Sequence, residues 1–136
     1  MGSYQTLFPF LALIGPFFIW PIEQILPYPY LVEELFKALA ILSLPLGQLD
    51  RNTAIKLALV FGFLFAFSES VFYFINILST GSPENLFLRN VFTIPLHVLT
   101  TLVLMLTAKK GLKTLVAGLG TAILIHYFFN LMVSQR

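Results

Sequence analysis

Glu33-Glu34-Leu35-Phe36-Lys37 places three charged residues in five positions, inside a segment from about Tyr30 to Leu46 that is otherwise almost wholly apolar. At the centre of a lipid-exposed helix each such charge costs roughly 2.5–3.5 kcal/mol on an insertion scale. These side chains must therefore face protein, water or substrate. Around them the chain reads as membrane-compatible throughout: 58% of its 136 residues are hydrophobic and 10% charged, with a mean hydropathy of +0.90. It is expected to be an integral membrane protein in contact with the lipid bilayer, forming a single domain over 1–136 with its chemistry in a core of about 30–130.

Composition also removes several function classes. The absence of cysteine excludes disulfides, thiolate catalysis and cysteine metal sites. A net charge of +2 gives no footing for nucleic acid. Met1 to Phe10 lacks the basic start and small-residue cleavage pattern of a signal peptide, so the first apolar segment is expected to stay in place.

At about 20 apolar residues per crossing, five segments fit: about 6–26, 30–46, 53–78, 86–108 and 115–133. The expected fold is all-α, a polytopic bundle of about five transmembrane helices. Pro16 and Pro21 are expected to kink the first, and Trp20 with Tyr28-Pro29-Tyr30 reads as an interfacial aromatic belt. Ser82-Pro83-Glu84 has helix-start chemistry: a cap hydroxyl, a first-turn proline and an acid at the positive end of the dipole. Arg51, Lys56, Lys109, Lys110 and Lys113 fall on one side of the membrane, against Arg89 and Arg136 on the other. The positive-inside bias thus predicts a cytoplasmic N-terminus.

Within the later helices the polar residues recur every three or four positions, which puts them on one face. Lys37 can reach Glu33 or Glu34. Phe65, Glu69 and Tyr73 share a row with Asn76 beside it, Arg89, Thr93, His97 and Thr101 make a second, and His126, Asn130 and Ser134 a third. Apolar helices bearing one polar stripe each can bury the stripes only against one another. At about 1.5 Å per residue, Glu69, His97 and His126 lie roughly 10–17 Å below the non-cytoplasmic ends. Glu33 and Glu34 lie nearer that surface, so a single cavity opening to the extracytoplasmic face is expected.

Glu33 and Glu34, as adjacent carboxylates in a poorly hydrated site, can supply a general base for water. A histidine can donate to a developing oxyanion, and Asn130, one turn from His126, can be a second donor. Such a set can hydrolyse an amide. No zinc-type His-Glu-x-x-His helix is present; Glu69, His97 and His126 could nevertheless bind zinc or another divalent metal. Lys37 and Arg89 are candidates for substrate binding or charge balance. Glu84, Asp50, Arg51 and the lysine turn read as solvated helix ends.

In this order the residues resemble the PrsW-type intramembrane proteases, within the wider superfamily of CAAX proteases and bacteriocin-processing enzymes. Glu33, Glu34 and Lys37 match a Glu-Glu-x-x-Lys motif. Phe61 to Glu69 resembles a Gly- and Phe-rich helix carrying a glutamate. Arg89, Pro95 and His97 resemble an arginine followed eight residues later by histidine, and His126 with Asn130 is similar to a final His-x-x-x-Asn/Asp motif. Ser70 stands where the family commonly has asparagine, and the chain is shorter than typical members. The resemblance implies a peptidase in which Glu33 and Glu34 activate water, Glu69 and His97 assist or shape the site, and His126 with Asn130 holds the oxyanion; no cofactor is expected, with a divalent metal such as zinc as the alternative. The expected substrate is a single-span membrane protein, and the depth of the polar residues predicts cleavage near the extracytoplasmic side of what is expected to be a prokaryotic cell membrane. Replacing either Glu33 or Glu34 by glutamine should then abolish cleavage and leave the fold largely intact. Two other classes fit the same residues: a non-catalytic scaffold, as in the scaffold subunit of gamma-secretase, and a small transporter or proton pathway.

Overall fold

A computed structural model describes the backbone of residues 3–80 and 83–134 and the side chains of 4–75 and 91–132. The protein is all-α, with α1 Ser3–Ile25, α2 Pro29–Leu42, α3 Arg51–Thr80, α4 Pro83–Ala108 and α5 Leu112–Ser134. Among the described residues, four helices contain stretches long and apolar enough to cross a membrane: Tyr4–Ile25, Arg51–Ile75, Val91–Ala108 and Leu112–Met132.

The helix ends follow from local chemistry. Pro29 opens α2, where a missing amide hydrogen costs nothing. Ser43 closes it by donating its hydroxyl to the Ala40 carbonyl at 2.7 Å, and Pro45 stops further helix. The second helix is therefore shorter than the segment expected from hydrophobicity, 14 residues or about 21 Å. Asp50 caps α3, accepting from the Thr53 amide at 3.0 Å and the Thr53 hydroxyl at 2.5 Å. Those bonds hold its carboxyl below the usual aspartate range. Gly111, at φ +122°, takes the left-handed turn that lets α5 begin at Leu112.

The order of the contacts gives the direction of each helix. Phe8 stacks near Phe61, Ser68 donates to the Leu13 carbonyl, and Phe17 and Trp20 meet Phe72, so α1 and α3 run parallel. Glu33 approaches His97 and Lys37 bonds Thr100, so α2 and α4 run together. Thr107 packs against Gly118 while His97 meets His126, so α4 and α5 are antiparallel. The five helices alternate in direction, α2 included. At one end Lys109 donates to the carbonyls of Leu46 (3.1 Å) and Leu49, tying the α4–α5 turn to the α2–α3 loop.

Lipid is as apolar as leucine, so packing rather than water exclusion holds such helices together. Small residues line the contacts: Ala12, Ala54, Ala58, Ala66, Ala108 and Ala122 are all buried. Phe8, Phe61, Phe65, Ile41, Leu104 and Met105 fill the interior, while Phe18, Leu39, Val116 and Met132 point outward. α2 packs on α1, α4 and α5, and α3 on α1 and α4. This arrangement brings Glu33, Glu34 and Lys37 to the middle of the bundle.

Candidate active site

A cavity of about 470 Å³ lies at the end of the bundle where α1 finishes and α2 begins, lined by Glu33, Glu69, His126 and Asn130 together with residues of α1. Beneath it runs a chain of buried polar groups. Lys37, wholly buried, has three acceptors for its three N–H groups: Glu34 Oε1 at 2.7 Å, His97 Nδ1 at 2.7 Å and Thr100 Oγ1 at 3.0 Å. With Nδ1 accepting from lysine, the His97 proton is assigned to Nε2, which donates to Glu69 Oε2 at 2.6 Å. Glu34, also wholly buried, takes a second bond, from His126 Nδ1 at 2.9 Å. That fixes the other histidine in the opposite tautomer, with its Nε2 lone pair free to face outward.

Glu33 stands apart from this chain. Its Oε2 lies 3.8 Å from His97 Nε2 and 3.8 Å from His126 Nε2, beyond direct hydrogen bonding, and has no hydrogen-bond partner although the residue is only 6% exposed. A buried acceptor held between two imidazoles at that spacing leaves room for one bridging atom.

The structure thus gathers Glu33, Glu34, Lys37, Glu69, His97, His126 and Asn130 at one place. Within that group Glu33 meets the cavity and Glu34 the lysine. Arg89, Asn76 and Glu84 lie outside the described side chains. Thr101, placed in the polar row by its spacing, donates to the carbonyl of His97 on its own helix at 2.6 Å; its neighbour Thr100 makes the interhelical bond. Glu23 of α1 also lines the cavity. Its sequence signal was a carboxylate beside Gln24 at the end of an apolar span, easily read as a membrane boundary.

A family model described as PrsW family intramembrane metalloprotease matches residues 25–136. The chain belongs to that family. Neither a curated protein nor a solved structure matches it. Nearly all of α1 precedes the matched residues, so the family's shared part here is α2 to α5.

The family's description raises the question of a metal. Glu33, His97 and His126 offer one carboxylate and two imidazoles whose donor atoms lie within 4.8 Å of one another, a donor set of the catalytic zinc type. Two ligands about 2.1 Å from a tetrahedral ion stand about 3.4 Å apart, close to the 3.8 Å seen here. The carboxylate in this group is Glu33, not the Glu69 expected from sequence. At 2.6 Å from His97 Nε2, Glu69 is at hydrogen-bonding distance and too close to share an ion with that nitrogen. Glu33 and His126 are ligand-ready, the latter backed by a carboxylate in the usual manner of metal-bound histidines. His97 fits by position and joins only once its Nε2 proton has left, because Lys37 occupies Nδ1.

Proposed function

We propose that the protein is an intramembrane endopeptidase that hydrolyses single-span membrane proteins near the extracytoplasmic face, with Glu33 activating the attacking water. One observation carries this reading: Glu33 lines the cavity, and its buried Oε2, without a hydrogen-bond partner, lies 3.8 Å from the Nε2 atoms of two imidazoles of opposite tautomer. Glu33 takes a proton from water as the water oxygen bonds to the scissile carbonyl carbon. The same proton passes to the leaving amine as the C–N bond breaks. His126 presents a lone pair, so oxyanion support falls first to the Asn130 amide and to His126 once it is protonated. Lys37 and Glu34 do not touch substrate; they fix the two rings. A metal, held by Glu33, His126 and His97, would supply Lewis-acid polarisation and a more acidic water at the same place. The cytoplasmic N-terminus, the prokaryotic cell membrane and the wider kinship with CAAX proteases belong to this reading.

Purified protein in detergent, given a panel of single-span peptides, tests it. Wild type should cleave, and Glu33→Gln should lose cleavage with its fold retained; a fully active Glu33→Gln enzyme refutes the assignment. A chelator in parallel separates a metal-dependent reaction from a metal-free one.

A further inference from the structure

The end of the bundle away from the cavity is basic. Arg51, Lys56, Lys109, Lys110 and Lys113 lie where α3 begins and α4 gives way to α5. Of the six acids in the sequence, Glu23, Glu33, Glu34, Glu69 and Glu84 lie towards the other end, and only Asp50 shares this one, where it caps α3 through Thr53. Lys109 is engaged by the carbonyls of Leu46 and Leu49. That tie brings Lys110, the next residue, and Lys113, on the first turn of α5, beside the loop that runs through Asp50 into Arg51. The side chains of Arg51, Lys110 and Lys113 are exposed, and none makes an ion pair or hydrogen bond with a described residue. Three free cations thus share one patch with a single carboxylate that already has its partners.

The surroundings of these cations say which anion fits. Leu112 and Val116, one turn apart on α5, flank Lys113 and point outward, as do Leu59 and Val60 one turn beyond Lys56 on α3. In a membrane-spanning chain such side chains meet acyl chains, so the cations stand at headgroup level with their stems along hydrocarbon. The ligand that matches carries negative charge at one end and hydrocarbon at the other. Arg51 can take two phosphate oxygens at once, with Lys110 and Lys113 as point charges beside it. We propose that Arg51, Lys110 and Lys113 form a binding site for the phosphate of an anionic phospholipid, whose acyl chains lie over Leu112 and Val116. Bound there, the lipid joins the α4–α5 turn to the α2–α3 loop from outside, as Lys109 does from within, and steadies the end of α2 opposite Glu33. Neither the site nor its ligand depends on peptidase activity.

The full chain, purified in neutral detergent, is given equal amounts of phosphatidylglycerol and phosphatidylcholine with the same acyl chains. Bound lipid is counted by native mass spectrometry, and the unfolding temperature is followed in parallel. Each basic side chain beside an anionic lipid contributes about fivefold, so the three together give wild type a preference for phosphatidylglycerol on the order of 100-fold, with a higher unfolding temperature in its presence. Arg51→Gln, Lys110→Gln and Lys113→Gln should each lower the ratio about fivefold, and the triple variant should bring it to about one and abolish the rise in temperature. Lys110→Arg with Lys113→Arg should keep both effects. Lys56→Gln is the control: five residues along α3 from Arg51, it lies about 7.5 Å deeper and about 140° round the helix, and should leave the ratio unchanged. A wild-type ratio near one, or a preference that survives in the triple glutamine variant, overturns the site. An equal loss in Lys56→Gln shows diffuse attraction in place of a site and also overturns it, as does a stabilisation that inorganic phosphate reproduces without lipid.

Discussion

Gly62→Ala tests whether the closeness of α3 and α4 sets the site. A Cβ at position 62 would stand 2.6 Å from Val98 Cα, 2.7 Å from the His97 carbonyl oxygen and 2.9 Å from Val98 N. All three are backbone atoms, so no rotamer change relieves the clash. Carbon atoms settle near 3.5 Å apart, and α4 must therefore retreat by about 1 Å at this level. His97 rides on that very stretch of α4, whereas Glu69 sits on α3 two turns beyond Gly62. The 2.6 Å bond between them would stretch past hydrogen-bonding range. Misplacement of a catalytic group by about 1 Å costs about 100-fold in rate, and overpacking a tight contact costs about 1–3 kcal/mol. Gly62→Ala should therefore lose about 100-fold in peptide cleavage and unfold at lower temperature, followed in detergent by tryptophan fluorescence. Gly120→Ala is the matched control: its Cβ meets nothing within 4 Å, and alanine favours helix. If the two variants prove equally stable and active, the packing described for His97 is wrong.

Lys37→Met should destabilise the fold by about 3–5 kcal/mol, because Glu34 is left as a buried charge without its partner. Adding Glu34→Gln should recover part of that loss, measured as a double-mutant cycle of unfolding in detergent; strict additivity would show that the pair is not coupled. Glu34→Gln alone should also destabilise, so the expectation of an intact fold holds for Glu33→Gln only. Asp50 gives a dependence on pH. Its carboxyl is held below the usual range by Thr53, so its capping contribution is present at neutral pH and fades as the pH falls through the lowered value. Amide exchange at Thr53 should accelerate in that acid range in wild type, whereas Asp50→Ala should lack the step.

Much of the fold was legible because two strong signals agree. Long apolar runs mark the spans, and proline, glycine and capping residues mark their ends. The polar residues of the site were legible for a related reason: in an apolar helix a Glu or His has few places to hide. Rotation about each helix axis was not legible. Neighbours on a helix point about 100° apart, so Glu33 and Glu34 cannot both face one cavity, and only the packing of α2 against α4 and α5 decides which does. Thr100 was missed for the same reason, as spacing by four favours Thr101 while the actual contact lies at spacing three. Glu23 was missed because a carboxylate near the end of a span is inexpensive, and its cost appears only when α1 turns it towards Glu69.

The buried lysine sharpens the assignment of roles. An apolar residue of similar volume in place of a buried ion pair often leaves a protein as stable or more so, so stability alone does not explain Lys37. Its three bonds do something an apolar residue cannot: they force the proton of His97 onto Nε2, while Glu34, held by the same lysine, forces that of His126 onto Nδ1. Two like side chains are thus held in opposite tautomers: His97 commits its Nε2 proton to Glu69, whereas His126, which lines the cavity, keeps a lone pair on Nε2, with the Glu33 carboxylate between them. Two histidines free to choose tautomers would present a mixture of states, most of them unfit to orient one water. Fixing both rings through one ammonium removes that freedom before substrate arrives, which is why the most costly residue to bury lies one layer beneath the chemistry instead of within it.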